Sequence, residues 1–150
     1  MNKENILKSL RINFAVAMVA ALVVILAFES GMATKGALAA NISSSMFYML
    51  QVVTIMLTII LIPLAIKGFS NSIAKVAGLD ADSALKLYAK KSIQRISILF
   101  LVIILNEFAY YGAGYDGALY CGLFGIGSMI YSFPTKMVME QFLSGKTDKE

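Results

Sequence analysis

The chain has 150 residues, of which 59% are hydrophobic and only 15% charged, with a mean hydropathy of +0.76. Soluble domains carry about 25% charged residues, and a domain this small has too little interior to hide so much apolar surface, so the surplus must face lipid or other protein. A formal charge of +4 and a pI near 9.2 do not point to nucleic acid, because the basic residues flank apolar runs and gather in no soluble patch.

Four segments are long enough, or nearly so, to cross a bilayer core of about 30 Å as helices of roughly 20 residues. The first, 12–28, follows Lys3, Lys8 and Arg11. It is longer than the apolar part of a signal peptide, and Glu29-Ser30-Gly31-Met32-Ala33 is a poor cleavage site, so it reads as a retained span. The loop 29–45 is rich in Gly, Ala and Ser, and its Asn41-Ile42-Ser43 triplet is a weak match to a glycosylation acceptor. The second segment, 46–66, contains Pro63 near its end, where a kink is expected.

In the connector 68–92, Phe69, Ile73 and Val76 recur at helical spacing beside Lys67 and Lys75. That pattern predicts a short interfacial helix with its apolar side on the membrane, ended by Gly78. Asp80 or Asp82 then caps a new helix, which runs through Ala84, Leu85, Tyr88 and Ala89 into the third segment, 93–111. The pair Asp80 and Asp82 lacks the glycine and distal glutamate of a calcium loop, so capping is the expected role. Only 112–116 separate the third segment from the fourth, 117–133, so these two form a tight antiparallel hairpin, and Pro134 breaks the fourth from the C-terminal tail. The apolar runs are continuous rather than alternating, which indicates helices. The expected fold is all-α: an integral membrane four-helix bundle of two antiparallel helical hairpins, forming one transmembrane domain over 1–150.

Of the 13 basic residues, all but Lys35 fall on one side of that arrangement. The positive-inside rule then places both termini and the connector in the cytoplasm, and the expected location is a bacterial cytoplasmic membrane. The two halves also resemble one another. Lys8-Ser9-Leu10-Arg11 opens the first segment, Lys91-Ser92-Ile93-Gln94-Arg95 opens the third, and Pro63 and Pro134 are each followed by a lysine. A duplication would be a parallel repeat about the membrane normal.

Histidine is absent, which removes the commonest metal ligand and the usual acid–base residue. Cys121 is the one cysteine and has no basic neighbour in sequence to activate it. No metal or cofactor is expected, and no catalytic residues are assigned. Ionisable groups inside apolar spans are functional candidates. Glu107, with Asn106 beside it, follows the apolar run 96–105, and Glu29 ends the first span at a similar depth. With Gln51, Tyr110 and Tyr111 these form a candidate polar, ion or ligand site, and Lys35 is available to pair with either carboxylate. Gln51, Thr54 and Thr58 share one face of the second span, which suits helix association.

Gly117, Cys121, Gly125, Ser128 and Ser132 form a small-residue seam on the fourth span, for packing inside the bundle or between subunits. Lys86, Lys90, Lys91 and Arg95 lie at headgroup depth, as contacts for anionic lipid. The partners expected are the lipid bilayer and a second copy or another membrane protein. The functional expectation is a non-enzymatic, oligomeric or accessory membrane subunit. The alternatives are a cation or proton path through the acidic cluster, and a lipid- or small-molecule-binding module.

Overall fold

The computed structural model describes residues 3–145. These form five helices and no strand: α1 (Lys3–Glu29), α2 (Ser44–Ser70), α3 (Ala81–Ala113), α4 (Asp116–Tyr131) and α5 (Lys136–Ser144). Short 3-10 turns at Ala39–Asn41 and Ala74–Val76 lie in the connections. α1, α3 and the segment beginning with α2 are each long and apolar enough to cross a membrane. α4 has 16 residues, or about 24 Å at 1.5 Å per residue.

Local signals set the ends. Ser43 accepts a hydrogen bond from the Met46 N–H and starts α2. Asp80 does the same for Ser83 and starts α3, which then continues without a break into the apolar 93–111 stretch. Gly114, at φ 69°, ends α3 in the left-handed conformation that suits glycine and turns the chain tightly into α4. Pro63 lies within α2 on its exposed side, and the helix continues through it.

α3 is the axis of the fold. In its most apolar stretch 56% of residues are buried, against 17% for α1 and for α2. α1, α2, α4 and α5 all pack on α3. Its buried residues Leu85, Tyr88, Ser92, Ile96, Leu99, Val102, Asn106, Ala109 and Ala113 recur every three or four positions and make one stripe. α1 runs parallel to α3: Leu10 packs near Tyr88 at one end, and Phe28 stacks on Tyr111 at the other. α2 and α4 run antiparallel to α3, as the Thr58–Asn106, Phe69–Tyr88 and Gly125–Ile103 contacts show. The expected α3–α4 hairpin is a packed pair. α1 and α2 instead lie along α3 rather than along each other, because α3 carries the large side chains that both require.

Two apolar clusters follow. The central one joins Ala17 and Ala21 of α1, Ala65 of α2, Ile96, Leu99 and Ile103 of α3, and Met129 of α4. The second sits at the end where α1 and α3 begin. It joins Ile6, Leu10, Phe69, Val76, Leu85, Tyr88, Met139 and Phe142. This cluster corrects the expectation of a membrane-lying connector: Phe69 and Val76 turn inward, because α5 supplies an apolar face that closes over them. α5 follows the break expected at Pro134 and gives a helix to a tail for which the sequence pattern predicts none. Thr135 caps it by accepting from the Val138 N–H, and Met139 and Phe142 anchor it. Phe142 lies against both Phe69 and Tyr88, with ring centroids 5.1 and 5.3 Å apart.

Two outcomes test this account. Phe142→Ala should lower unfolding stability by about 3–5 kcal/mol and open the 136–144 segment to protease, as followed by chemical denaturation and limited proteolysis. The Ser83 hydrogen bonds hold the Asp80 carboxyl below its ordinary range. Its folded pKa is therefore lower than its unfolded one. The cap's contribution is present above the unfolded pKa and is lost as pH falls through the folded value. Asp80→Ala should lower the melting temperature at neutral pH, and the difference from the wild type should vanish in acid below that range.

Candidate functional site

The residues singled out from sequence separate into three groups in space. The first is exposed. Lys35 Nζ bonds the Glu29 carboxylate at 2.8 Å and lies 5.5 Å above the Tyr111 ring. The Tyr111 phenol also interacts with the Glu29 carboxylate. Phe28 stacks on Tyr111 with centroids 4.8 Å apart, and Tyr110 meets it edge-on. The loop is tied down as well, since the Gly36 and Leu38 N–H groups donate to the Tyr111 and Gly112 carbonyls. Glu29 is thus committed to a surface clasp between the first loop and the end of α3.

The second group is buried. Asn106 is 2% exposed, and its Nδ2 donates to Thr58 Oγ1 at 2.9 Å and to the Val102 carbonyl at 2.8 Å. Thr58 Oγ1 in turn donates to the Thr54 carbonyl, and Thr54 Oγ1 to the Leu50 carbonyl. Both hydroxyls are therefore satisfied within α2, and the polar face of the second span meets the polar residue of the third. Gln51, on the same face, is only half-buried. Glu107 is 7% exposed, and neither carboxylate oxygen has a partner; Asn106 Oδ1 is likewise unpartnered. The structure therefore brings Asn106 to Thr58 and Glu29 to Tyr111. Glu107 adjoins Asn106 in the chain and acts on Tyr111 through its charge, but it hydrogen-bonds to neither group.

The third group lies at the opposite end. Lys86 and Lys90 are exposed and Lys91 is half-buried, with Lys91 Nζ donating to Gln94 Oε1 at 3.1 Å. Arg95 differs from the surface position expected of it. It is 6% exposed, donates through Nη2 to the Ser132 carbonyl at 2.9 Å, and sets its guanidinium carbon 3.9 Å over the Phe69 ring. Tyr88, Ser92 and Arg95 recur at intervals of four and three on the buried stripe. That spacing is the signal in the sequence that Arg95 points inward while Lys86 and Lys90 point out.

The small-residue seam also differs in register. Ala118, Gly122, Gly125, Met129 and Ser132 are the buried residues, while Gly117, Cys121 and Ser128 are half-buried beside them. Gly125 is where α4 comes close to α3: a Cβ there would stand 3.0 Å from Ile103 Cγ1 and 3.3 Å from Val102 Cγ1. Gly125 and Ser132 of the expected seam thus serve packing on α3. No protein-family model, curated protein or solved structure matches the chain.

A buried carboxylate with no partner is a destabilising element. Glu107→Leu should raise stability by about 1–3 kcal/mol, the usual cost of an unsatisfied buried polar group, as measured by denaturation in detergent. A drop in stability of that size would show that Glu107 has a partner in the native membrane.

Proposed function

We propose that the chain is a four-span protein of a bacterial cytoplasmic membrane, with both termini on the cytoplasmic side, and that it acts as a non-enzymatic subunit assembling with its own copies or with another membrane protein. The observation that carries this reading is the unequal burial of the helices. α1 and α2 keep most of their apolar surface outside the bundle, and α4 presents Leu119, Tyr120, Leu123, Phe124, Ile130 and Tyr131 outward. Such a shell suits lipid tails and neighbouring helices.

Four crossings are supported by the path of α4. It is bound to α3 from the Gly114 turn at one end to the Arg95–Ser132 hydrogen bond at the other. It thus traverses the same apolar stretch of α3, and local thinning of the bilayer accommodates its modest length. The orientation is supported by charge: every described basic residue except Lys35 belongs to the end where α1 and α3 begin.

The experiment begins from a Cys121→Ser background. Thr34→Cys should react with membrane-impermeant maleimide only from outside, and Ser70→Cys only from inside. Labelling of both from the same side overturns the topology. A photo-crosslinking residue at Phe124 should give a discrete adduct in native membranes. A protein that stays monomeric and adduct-free there, and at Leu123 and Tyr131, is not a subunit.

A second reading, a cation or proton path, is favoured by the unpartnered Glu107 carboxylate, because a buried ionisable group in a span is costly to keep without a task. Flux into proteoliposomes tests it, and a flux unchanged by Glu107→Gln excludes this residue from the path.

A further inference from the structure

Arg95 carries a cation that the Phe69 ring and a backbone carbonyl hold in place but that no described anion balances. Its guanidinium is withdrawn from solvent, and the titratable side chains acting on it are the phenols of Tyr88 and Tyr131. One nitrogen meets the Ser132 carbonyl, Nε has no partner, and no described carboxylate pairs with it. A buried cation is stable when an opposite charge reaches it.

There is an open place for one. A cavity of about 240 Å³ between α2 and α3 is lined by Arg95, Lys91 and Gln94 on one side and by Leu64, Gly68 and Phe69 on the other. It sits where the apolar run 96–105 of α3 gives way to the first charged residues, which is the depth of lipid phosphates for a membrane-spanning α3.

We propose that this cavity binds the phosphodiester headgroup of an anionic phospholipid, with Arg95 and Lys91 as its cationic ligands and Gln94 beside them. The space for the phosphate is made by Gly68, where no atom lies within 4 Å of the position a Cβ would take. The acyl chains follow from helix geometry. Ile98, Leu101 and Leu105 continue down α3 from Gln94, and Leu64, Ile60 and Leu57 continue down α2 from Gly68, at spacings of three and four. Apart from the half-buried Ile98, all of these are exposed apolar side chains. Together they form a gutter leading from the phosphate into the hydrocarbon. Lys86 and Lys90 add attraction toward the leaflet without entering the cavity.

The inference rests on the membrane reading and is tested separately from it. Full-length protein in detergent is titrated with dioleoyl phosphatidylglycerol, dioleoyl phosphatidylcholine or inorganic phosphate, with bound lipid counted by native mass spectrometry and melting temperature followed in parallel. Phosphatidylglycerol should bind about twenty-five-fold more tightly than phosphatidylcholine, for two cations each contributing about fivefold. Lys91→Gln should lower that preference about fivefold. Arg95→Gln also removes the Ser132 hydrogen bond, so Gly68→Leu is the cleaner variant. Its Cβ meets nothing, the longer side chain fills the cavity, and glycine's helix penalty is relieved. It should fold and lose the preference. Equal binding of the two lipids, or a preference that survives Gly68→Leu, overturns the proposal. Stabilisation by inorganic phosphate equal to that by phosphatidylglycerol overturns the lipid assignment in favour of a soluble anion. A failed maleimide topology overturns the membrane orientation and leaves these binding results to be judged on their own.

Discussion

Because α1, α2, α4 and α5 all pack on α3, the bundle is organised around one helix surface rather than around pairwise hairpins. The division of labour follows the side chains. α3 contributes Leu99, Val102 and Ile103, while its neighbours offer Ala17 and Ala21, Ala65, and Ala118, Gly122 and Gly125. Small residues on the outer helices let their backbones approach, and the larger groups of α3 fill the space between. In lipid this close contact matters more than removal of apolar surface from water, since the tails are as apolar as the core. It also explains how α1 and α2 keep their positions with so little of their own surface buried.

A central stripe of this kind buries whatever polar residues it contains, and each one becomes a fixed link to a different neighbour. Asn106 ties α3 to α2 through Thr58, and Arg95 ties it to α4 through the Ser132 carbonyl. Interhelical hydrogen bonds contribute only about 0.6–2 kcal/mol each. Their effect on register is larger than that figure suggests, because a one-turn slip of either helix would take one of the Asn106 amide's two hydrogen bonds, or the one that the Arg95 guanidinium makes. Glu107 is the exception on the stripe's edge. It is buried and its carboxylate has no hydrogen-bond partner, so it adds cost without adding register.

The all-helical character and the three long apolar helices were legible because they depend on composition and run length, which no packing detail can reverse. The start of α3 was legible at Asp80 for a similar reason: a cap acts on its own backbone within three residues. What sequence left hidden depended on which element covers which. Phe69 and Val76 read as membrane-facing because α5, the nine-residue helix that covers them, follows a proline and lies far away in the chain. The seam on α4 reads as Gly117, Cys121, Gly125, Ser128 and Ser132; of these Gly125 and Ser132 turn onto α3, where Ala118, Gly122 and Met129 join them, while Gly117, Cys121 and Ser128 lie half-buried beside that face. Small residues occur on both sides of that helix, so their spacing alone does not say which side turns inward. At the candidate site, Asn106 and Thr58 both stand out in the sequence, but their pairing requires knowing that α2 and α3 run antiparallel in this register.

The basic end of the chain carries two kinds of charge with different tasks. Lysines such as Lys86 and Lys90 are exposed at the surface of α3. The arginines are placed. α4 ends at Tyr131, leaving backbone carbonyls without helical donors, and two guanidiniums converge on that turn. Arg95 Nη2 meets the Ser132 carbonyl, and Arg11 Nε meets the Pro134 carbonyl at 3.2 Å. Positive charge at a helix C-terminus also complements the helix dipole. Arg11 and Arg95 sit in the two sequence contexts that resemble each other, on helices that run parallel. Whatever the origin of that likeness, it delivers one arginine from each side to the same turn. A planar guanidinium suits this task better than an ammonium, because it can donate to a carbonyl while its face lies on Phe69 or Phe133. The basic residues counted toward orientation therefore include two that build the fold.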